Sequence, residues 1–425
     1  MKDLATKNSK DTKKAWPLVR LGDVCESFNG LWKGTKQPLK TVGVIRSTNF
    51  TKQCEFDHSK IIFIEVEEKK FLKRKLQCGD IVVERSGGGP NQPVGRVLLF
   101  NIEEGDYTIS NFTSALRIKD KCALDFSYLH RVLVAQYFSG VTAKMQSNAT
   151  NIINLHYDEF LNIEFPLPPL TVQREIVARL EKELGEADKL AAKFKRVAEL
   201  ADNAFKAELD ETFKALEDNS RRDAETRRVR LGDVCEFVRN GANIKQRKGA
   251  AGIPITRIET LSGGVFNSQK VGYADIMNKE PFEKHIVGIG DLLISHINSA
   301  QFVGRTVMYR GEINGPIIHG MNLLRARLLD SGKILPAYVE LWFKTISARI
   351  YISGVTKKSV NQASVNTTDF KRMPIIRPPI STQRAIVAKL DAAKERCEKL
   401  KAAAMRGLAA AENLRKAILA EAFEQ

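Results

Sequence analysis

From Thr171 to about Leu216 the chain has no proline and one glycine, Gly185, and its apolar residues return at every third or fourth position. They are Val177, Leu180, Leu184, Ala187, Ala191, Phe194, Ala198, Ala201, Phe205, Leu209, Phe213 and Leu216. That spacing predicts one long helix with a heptad seam. A second run follows Ser381, with Val387, Leu390, Ala393, Cys397, Leu400, Ala404, Leu408, Ala411, Leu414 and Ile418. Thr171 and Ser381 suit N-caps, and the prolines just upstream bar an earlier start. Each helix of about 45 residues would be about 65 to 70 Å long. Two matched stripes in one chain are expected to bury each other as a coiled-coil-like pair. Its seam would hold Val177, Leu180, Leu184, Phe194, Phe205, Val387, Leu390, Leu400, Leu408 and Ile418. The alternatives are a helix folded back on its own domain, or one paired with another protein.

The rest of the chain has a different rhythm. IIFIEV (61–66), DIVVER (80–85) and RVLLF (96–100) read as strands bounded by glycine or proline turns, as do DLLISH (291–296) and RTVMYR (305–310). FSYLHRVLVAQYF (126–138) and AYVELWFKTISARIYI (337–352) have helical spacing. These segments come in pairs. RLGDVCE stands at 20–26 and again at 230–236, PPLTVQREIVARL at 168–180 returns as PPISTQRAIVAKL at 378–390, and SGVT occurs at 139–142 and 353–356. The chain is a tandem duplication with a unit of about 210 residues, longer than any solenoid repeat. The predicted order is a flexible tail (1–15), an α/β module (16–170), a long helix (171–217), a charged solvated linker (218–230), a second module (231–380) and a second long helix (381–424). The fold class is α+β, with two modules separated by the paired long helices.

Composition narrows the partners. The chain of 425 residues carries a net charge of +17, of which the second module accounts for about +9 and the first for only about +2. A surplus of this size favours a polyanion, most often nucleic acid. No apolar stretch is long enough to cross a bilayer, and the polar N-terminus has no h-region, so a cytoplasmic location is expected and no membrane partner. The six cysteines form no C-x-x-C pair, which argues against zinc.

Catalytic motifs are hard to find. The two Pro-Pro pairs sit at helix starts and lack the flanking residues of a methyltransferase target-base motif. SGGGPNQPVGR (86–96) lacks the Gly-Lys-Ser/Thr of a P-loop. It reads either as a hairpin loop or as a place where backbone approaches a phosphate, with Arg85 and Arg96 nearby. Asp57 with Glu67, Glu68 and Lys69 could be imagined as a Mg-dependent nuclease acting alone, although the second copy has no equivalent. No catalytic residue, metal site or cofactor is assigned to this chain. A protein–protein adaptor that ignores nucleic acid is a further alternative.

The paired landmarks resemble one family. VRLGDV opens each half (19–24 and 229–234). A proline-rich entry to each long helix is followed by Gln173, Ile176 and Val177, and again by Gln383, Ile386 and Val387. The chain resembles the specificity subunits of type I restriction–modification enzymes over nearly its whole length. The family's usual acidic residue before the glutamine is Val172 here and Thr382 in the second copy. The resemblance implies a non-catalytic chain in which each module is a target recognition domain for half of a bipartite site in double-stranded DNA. It implies that the two long helices pair antiparallel, setting the modules in approximate two-fold relation, that they dock two methyltransferase subunits that bring S-adenosylmethionine, and that a restriction–translocase subunit can join them. RLGDVCE is then expected to be structural, with Leu21 and Val24 buried and Asp23 at a turn. DNA contacts are expected where the copies differ. The candidates in the first module are Trp32, Lys33, Arg46, Arg85, Asn91, Gln92, Lys144, Gln146 and Asn148. In the second they are Asn240, Asn243, Lys245, Gln246, Arg257, His296, Asn298, Gln301, Lys357, Lys358, Asn361 and Gln362. These residue types hydrogen-bond base edges and phosphates.

Overall fold

RLGDVCE does the same work in both halves of the computed structural model, which describes residues 16–89, 92–149, 152–220, 225–247, 252–276, 280–330, 332–359 and 362–423. Strand Leu18–Arg20 pairs antiparallel with Glu164–Pro166, and Arg227–Arg230 pairs with Pro374–Arg377. One helical turn follows each, Leu21–Val24 and Leu231–Val234. Leu21 and Leu231 are fully buried, and their N–H groups donate to the carbonyls of Ile163 at 3.0 Å and Met373 at 2.8 Å. The heptapeptide thus ties the start of each module to the segment just ahead of its long helix. Val24 is only half-buried, unlike Val234. The stretch 218–230 is not all linker. Its last four residues are a strand, hidden in the sequence because three of them are arginines and only Val229 turns inward. Residues 221–224 lie outside the described ones.

Both modules contain a four-stranded antiparallel sheet with one topology. In the first the order is Cys25–Asn29, Thr113–Ile118, Ile81–Glu84, Val97–Leu99; in the second it is Cys235–Asn240, Leu323–Leu328, Leu292–Ser295, Thr306–Met308. Each module also carries a small three-stranded sheet at the matching place: Gln146–Ala149, Ile152–Leu155, Ser86–Gly88 in the first, and Lys357–Ser359, Gln362–Ser364, Ile297–Asn298 in the second. The remaining sheets differ. The first module orders Ile62–Glu67, Leu39–Ile45, Tyr107–Ile109, the last two parallel, whereas the second has Gln246–Arg247, Gly272–Ala274, Ile253–Ile255, all antiparallel. Helix Phe126–Phe138 matches the helical spacing of its segment. The segment 337–352 is instead two helices, Pro336–Trp342 and Ile346–Val355, because Thr345 caps the second by accepting the Ala348 N–H.

The long helices are Leu170–Asn219 and Ile380–Glu421. Each begins one residue before the expected cap. The carbonyls of Pro169 and Pro379 accept the N–H of Gln173 and Gln383, so Thr171 and Ser381 lie inside the first turn. Both glutamines are fully buried and make matching bonds. Gln173 Nε2 donates to the Ala123 and Pro168 carbonyls while its Oε1 accepts the Asp125 N–H. Gln383 Nε2 donates to Lys333 and Pro378 while its Oε1 accepts from Leu335.

The chain divides into two compact units, one holding residues up to Lys195 together with those from Arg406 onward, the other holding Arg196–Met405. In the first unit Asp188 meets Arg415 and the Phe194 ring covers Gly407, while Leu180, Leu184 and Leu419 share a core with Tyr128 and Leu129. In the second, Lys401 meets Asp202, Arg396 meets Glu208 and Lys389 meets Thr212, while Phe213 and Leu390 share a core with Tyr338 and Trp342. Partner numbers fall on one helix as they rise on the other, so within each unit the two helices are antiparallel. Val177, Leu180, Leu184 and Leu390 are buried, and Phe194, Phe205, Val387, Leu408 and Ile418 are half-buried. Leu400 is not in the seam: it is 50% exposed. Between half-buried Cys397 and buried Ala404 both Leu400 and Lys401 are exposed, and it is Lys401 whose ammonium meets Asp202 on the other helix. Leu414 turns outward likewise, and the buried residue is its neighbour Arg415.

Candidate nucleic-acid interface

In the first module the small sheet gathers part of the expected set. Arg85 leaves the four-stranded sheet and leads into Ser86–Gly88, Gln146 and Asn148 lie on the opposite edge strand of the small sheet, and Lys144 is exposed just ahead of them. Gln92 faces Gly89 across a bridge. Asn91 and the side chain of Asn148 lie outside the described residues. Gln146 is partly committed, since its Oε1 accepts the Val94 N–H at 3.3 Å. Arg85 is half-buried and oriented from two sides. Its guanidinium lies 4.5 Å over the Tyr157 ring, and its Nη1 donates to Asn29 Oδ1 at 2.8 Å. Arg96, the other arginine of this glycine-rich segment, is buried; it forms a two-point pair with Glu84 at 2.7 and 2.8 Å and donates to the Phe50 carbonyl. It is a core residue and not available to a phosphate.

Trp32 and Lys33 stand elsewhere. They line a groove of about 610 Å³ with Lys70, Lys73 and Arg74. Trp32 is 68% exposed, unusual for so large an apolar ring. Arg46 is half-buried and donates to the Lys60 carbonyl at 3.4 Å. The acidic residues that suggested a nuclease are held by neighbours: Asp57 by Ser59 and Lys60, and Glu67 by Lys70. These hydrogen bonds hold both carboxyls below the ordinary carboxylate range. Among the described residues no group of three His, Cys, Asp or Glu could hold a metal ion.

The second module's small sheet brings Lys357, Lys358 and Gln362 together, all exposed, with Asn298 on the third strand. Asn298 is occupied locally, donating to Ser295 Oγ and accepting the Ser299 N–H. Gln301 is exposed, while Asn361 lies outside the described residues. His296 does not belong to this surface. It is buried, and burial lowers its pKa, keeping the ring neutral at pH 7. Asn240, Asn243 and Lys245 are exposed near the sheet found only in this module. There Arg257 Nε donates to Gln246 Oε1, so these half-buried side chains serve each other first.

Sequence reasoning missed Asn29 and Tyr157, which orient Arg85, and an internal charge system in the second module. There Arg327 makes a two-point pair with Asp291 at 2.7 and 2.9 Å, and buried Arg325 donates to the carbonyls of Ile286 and Lys284. Burial, partly countered by Asp291, pulls Arg325 down to about 10, and burial takes His319 down to about 3. Asp80 and Arg117 are the first-module counterpart. The sequence signal is the Gly-Asp that recurs at 79–80 and 290–291, which marks the carboxylate but not its partner.

Comparison with known proteins follows this geometry. A family model described as the type I restriction modification DNA specificity domain matches twice, over residues 13–192 and 224–404. The EcoKI type I restriction enzyme specificity subunit of Escherichia coli K12 is 24% identical over 96% of this chain and 89% of its own length. A protein of Methanocaldococcus jannaschii named as the MjaX type I restriction enzyme specificity subunit is 38% identical over 156 residues, 37% of this chain and 36% of that protein. Among solved structures, a chain from a study of complex assembly and conformational transition of the type I R-M system aligns with TM-score 0.68 at 20% identity, covering 96% of this chain and 98% of that one. The HsdS subunit of Thermoanaerobacter tengcongensis aligns with TM-score 0.53 at 18% identity, covering 99% of both chains. No helix among the described residues is long and apolar enough to cross a membrane. With both modules matched and the duplicated fold shared, this chain belongs to the type I restriction–modification specificity family, as a non-catalytic DNA-recognition subunit.

Proposed function

We propose that each module reads one half of a bipartite site in double-stranded DNA, and that the chain recruits two methyltransferase subunits, which carry S-adenosylmethionine, and a restriction–translocase subunit. One observation carries this reading. The modules share a base, down to the buried glutamine at each helix entry, yet present different polar side chains on matching small sheets. A duplicated scaffold with diverged edges suits two half-sites of unlike sequence, because phosphate contacts can be shared in kind while base contacts cannot. The unequal charge of the modules also favours unequal roles, with the second supplying more of the phosphate attraction.

Mapping methylated bases in cells that carry the chain with its methyltransferase partner tests the proposal. The expected result is one split motif with a constant gap, lost when the chain is deleted. Methylation that persists without the chain, or a motif of one uninterrupted segment, refutes it.

A further inference from the structure

Resting on that reading, we propose that Arg85 reads a guanine in the half-site bound by the first module. Two arginines in the core of this module have a carboxylate: Arg96 has Glu84 and Arg117 has Asp80, while half-buried Arg46 and Arg74 donate to the backbone carbonyls of Lys60 and Gly30. Arg85 has no carboxylate among the described residues. Its recorded partners are neutral: Nη1 donates to Asn29 Oδ1 at 2.8 Å and lies 3.5 Å from Ser114 Oγ. Below it is the Tyr157 ring, itself anchored by a 2.6 Å bond between its hydroxyl and Ser27 Oγ. Asn29 is fixed in turn, since its Oδ1 also accepts the Ser114 hydroxyl at 3.0 Å.

The result is a half-buried guanidinium whose plane is set by an aromatic face and whose one nitrogen is tethered. No hydrogen bond among the described residues uses Nε or Nη2. A fork held in one orientation, retaining its charge and lacking an acid, suits a pair of acceptors lying side by side. Guanine O6 and N7 in the major groove are such a pair, and bidentate arginine is the commonest way to read them.

The second module sharpens the assignment. His296 occupies the corresponding backbone position. The Arg85 carbonyl accepts the Leu155 N–H at 2.8 Å, and the His296 carbonyl accepts the Val365 N–H at 3.0 Å. Yet His296 is buried and offers no fork. The guanine contact therefore belongs to one half-site only.

The test replaces the chain in its native complex with Arg85→Lys and maps methylated sites in cells. Lysine keeps the charge but cannot make two parallel bonds. The wild-type motif is expected to contain an invariant guanine in one half. In the variant, discrimination at that guanine should fall about tenfold to a hundredfold, with the other half-site unchanged. Tyr157→Phe keeps the ring but loses its anchor, and should relax the same position more weakly. An unchanged motif in Arg85→Lys overturns the proposal. So does an equal decline at every position, which identifies a phosphate contact instead. A variant that methylates nothing is then judged by its thermal melt: a wild-type melt overturns the base-specific role, and for a lowered melt Arg85→Gln, which keeps polarity and length, must relax the same guanine or the proposal fails. If the wild-type chain yields no split motif at all, the proposed function has failed and not this assignment.

Discussion

The two modules solve one structural problem with different interiors, and the contrast separates scaffold from reader. Where strand Ile81–Glu84 meets its neighbour, the first module buries the Glu84–Arg96 ion pair; at the same place the second has Ser295, and Arg305 donates to the Leu261 carbonyl. The Asp–Arg pair at the other end of that strand is kept in both, as Asp80 with Arg117 and Asp291 with Arg327. Features that hold the sheet are thus duplicated, while those at the edge toward the small sheet have drifted.

The largest effect should come from breaking that asymmetry. Glu84→Ala leaves the buried Arg96 charge without a carboxylate and is expected to cost the first unit about 3 to 5 kcal/mol. Ser295→Ala at the matching place removes only the acceptor of the Asn298 amide and should cost about 1 kcal/mol. Segment-resolved hydrogen exchange measures each unit separately, as two units need not unfold together. Equal losses would mean that the ion pair is not what distinguishes the cores.

Acidification probes the same contrast. Burial lowers the pKa of His285, His296 and His319 in the second module, against His130 alone in the first. Such a histidine stays neutral when folded but takes a proton when unfolded below about 6.5. Its contribution is intact above that value and shrinks as pH falls toward the folded pKa, near 3 for His130 and His319. Between pH 6.5 and 5 each deeply buried histidine should remove up to about 1.4 kcal/mol per pH unit, with less from the more exposed His285. Protease sensitivity should rise first in the second module; an equal rise in both would break the comparison.

The smallest effects concern the helices. A Cβ on Gly407 would stand 2.4 Å from the Phe194 ring, so Gly407→Ala should cost about 1 to 3 kcal/mol. Gly185 has open space around its would-be Cβ, and Gly185→Ala should stabilise by up to about 1 kcal/mol. Thermal melts of the two variants should therefore shift in opposite directions.

Much of this molecule is legible in its sequence. Repetition and periodicity are local properties, so the duplication, the long helices and most of their buried faces follow from spacing, while the family rests on the resemblance carried by VRLGDV and the two proline-rich helix entries. Facts that depend on contacts between distant segments did not. Leu400 and Leu414 turn outward and Arg415 is buried because the rotation of a long helix is settled by its neighbour and not by its own pattern. His296 looked like a loop reader and proved to be a core residue, whereas Arg85 gained its orientation from Asn29 and Tyr157, which lie 56 residues before it and 72 after. A side chain's availability depends on what covers it, and only the folded chain brings those groups together.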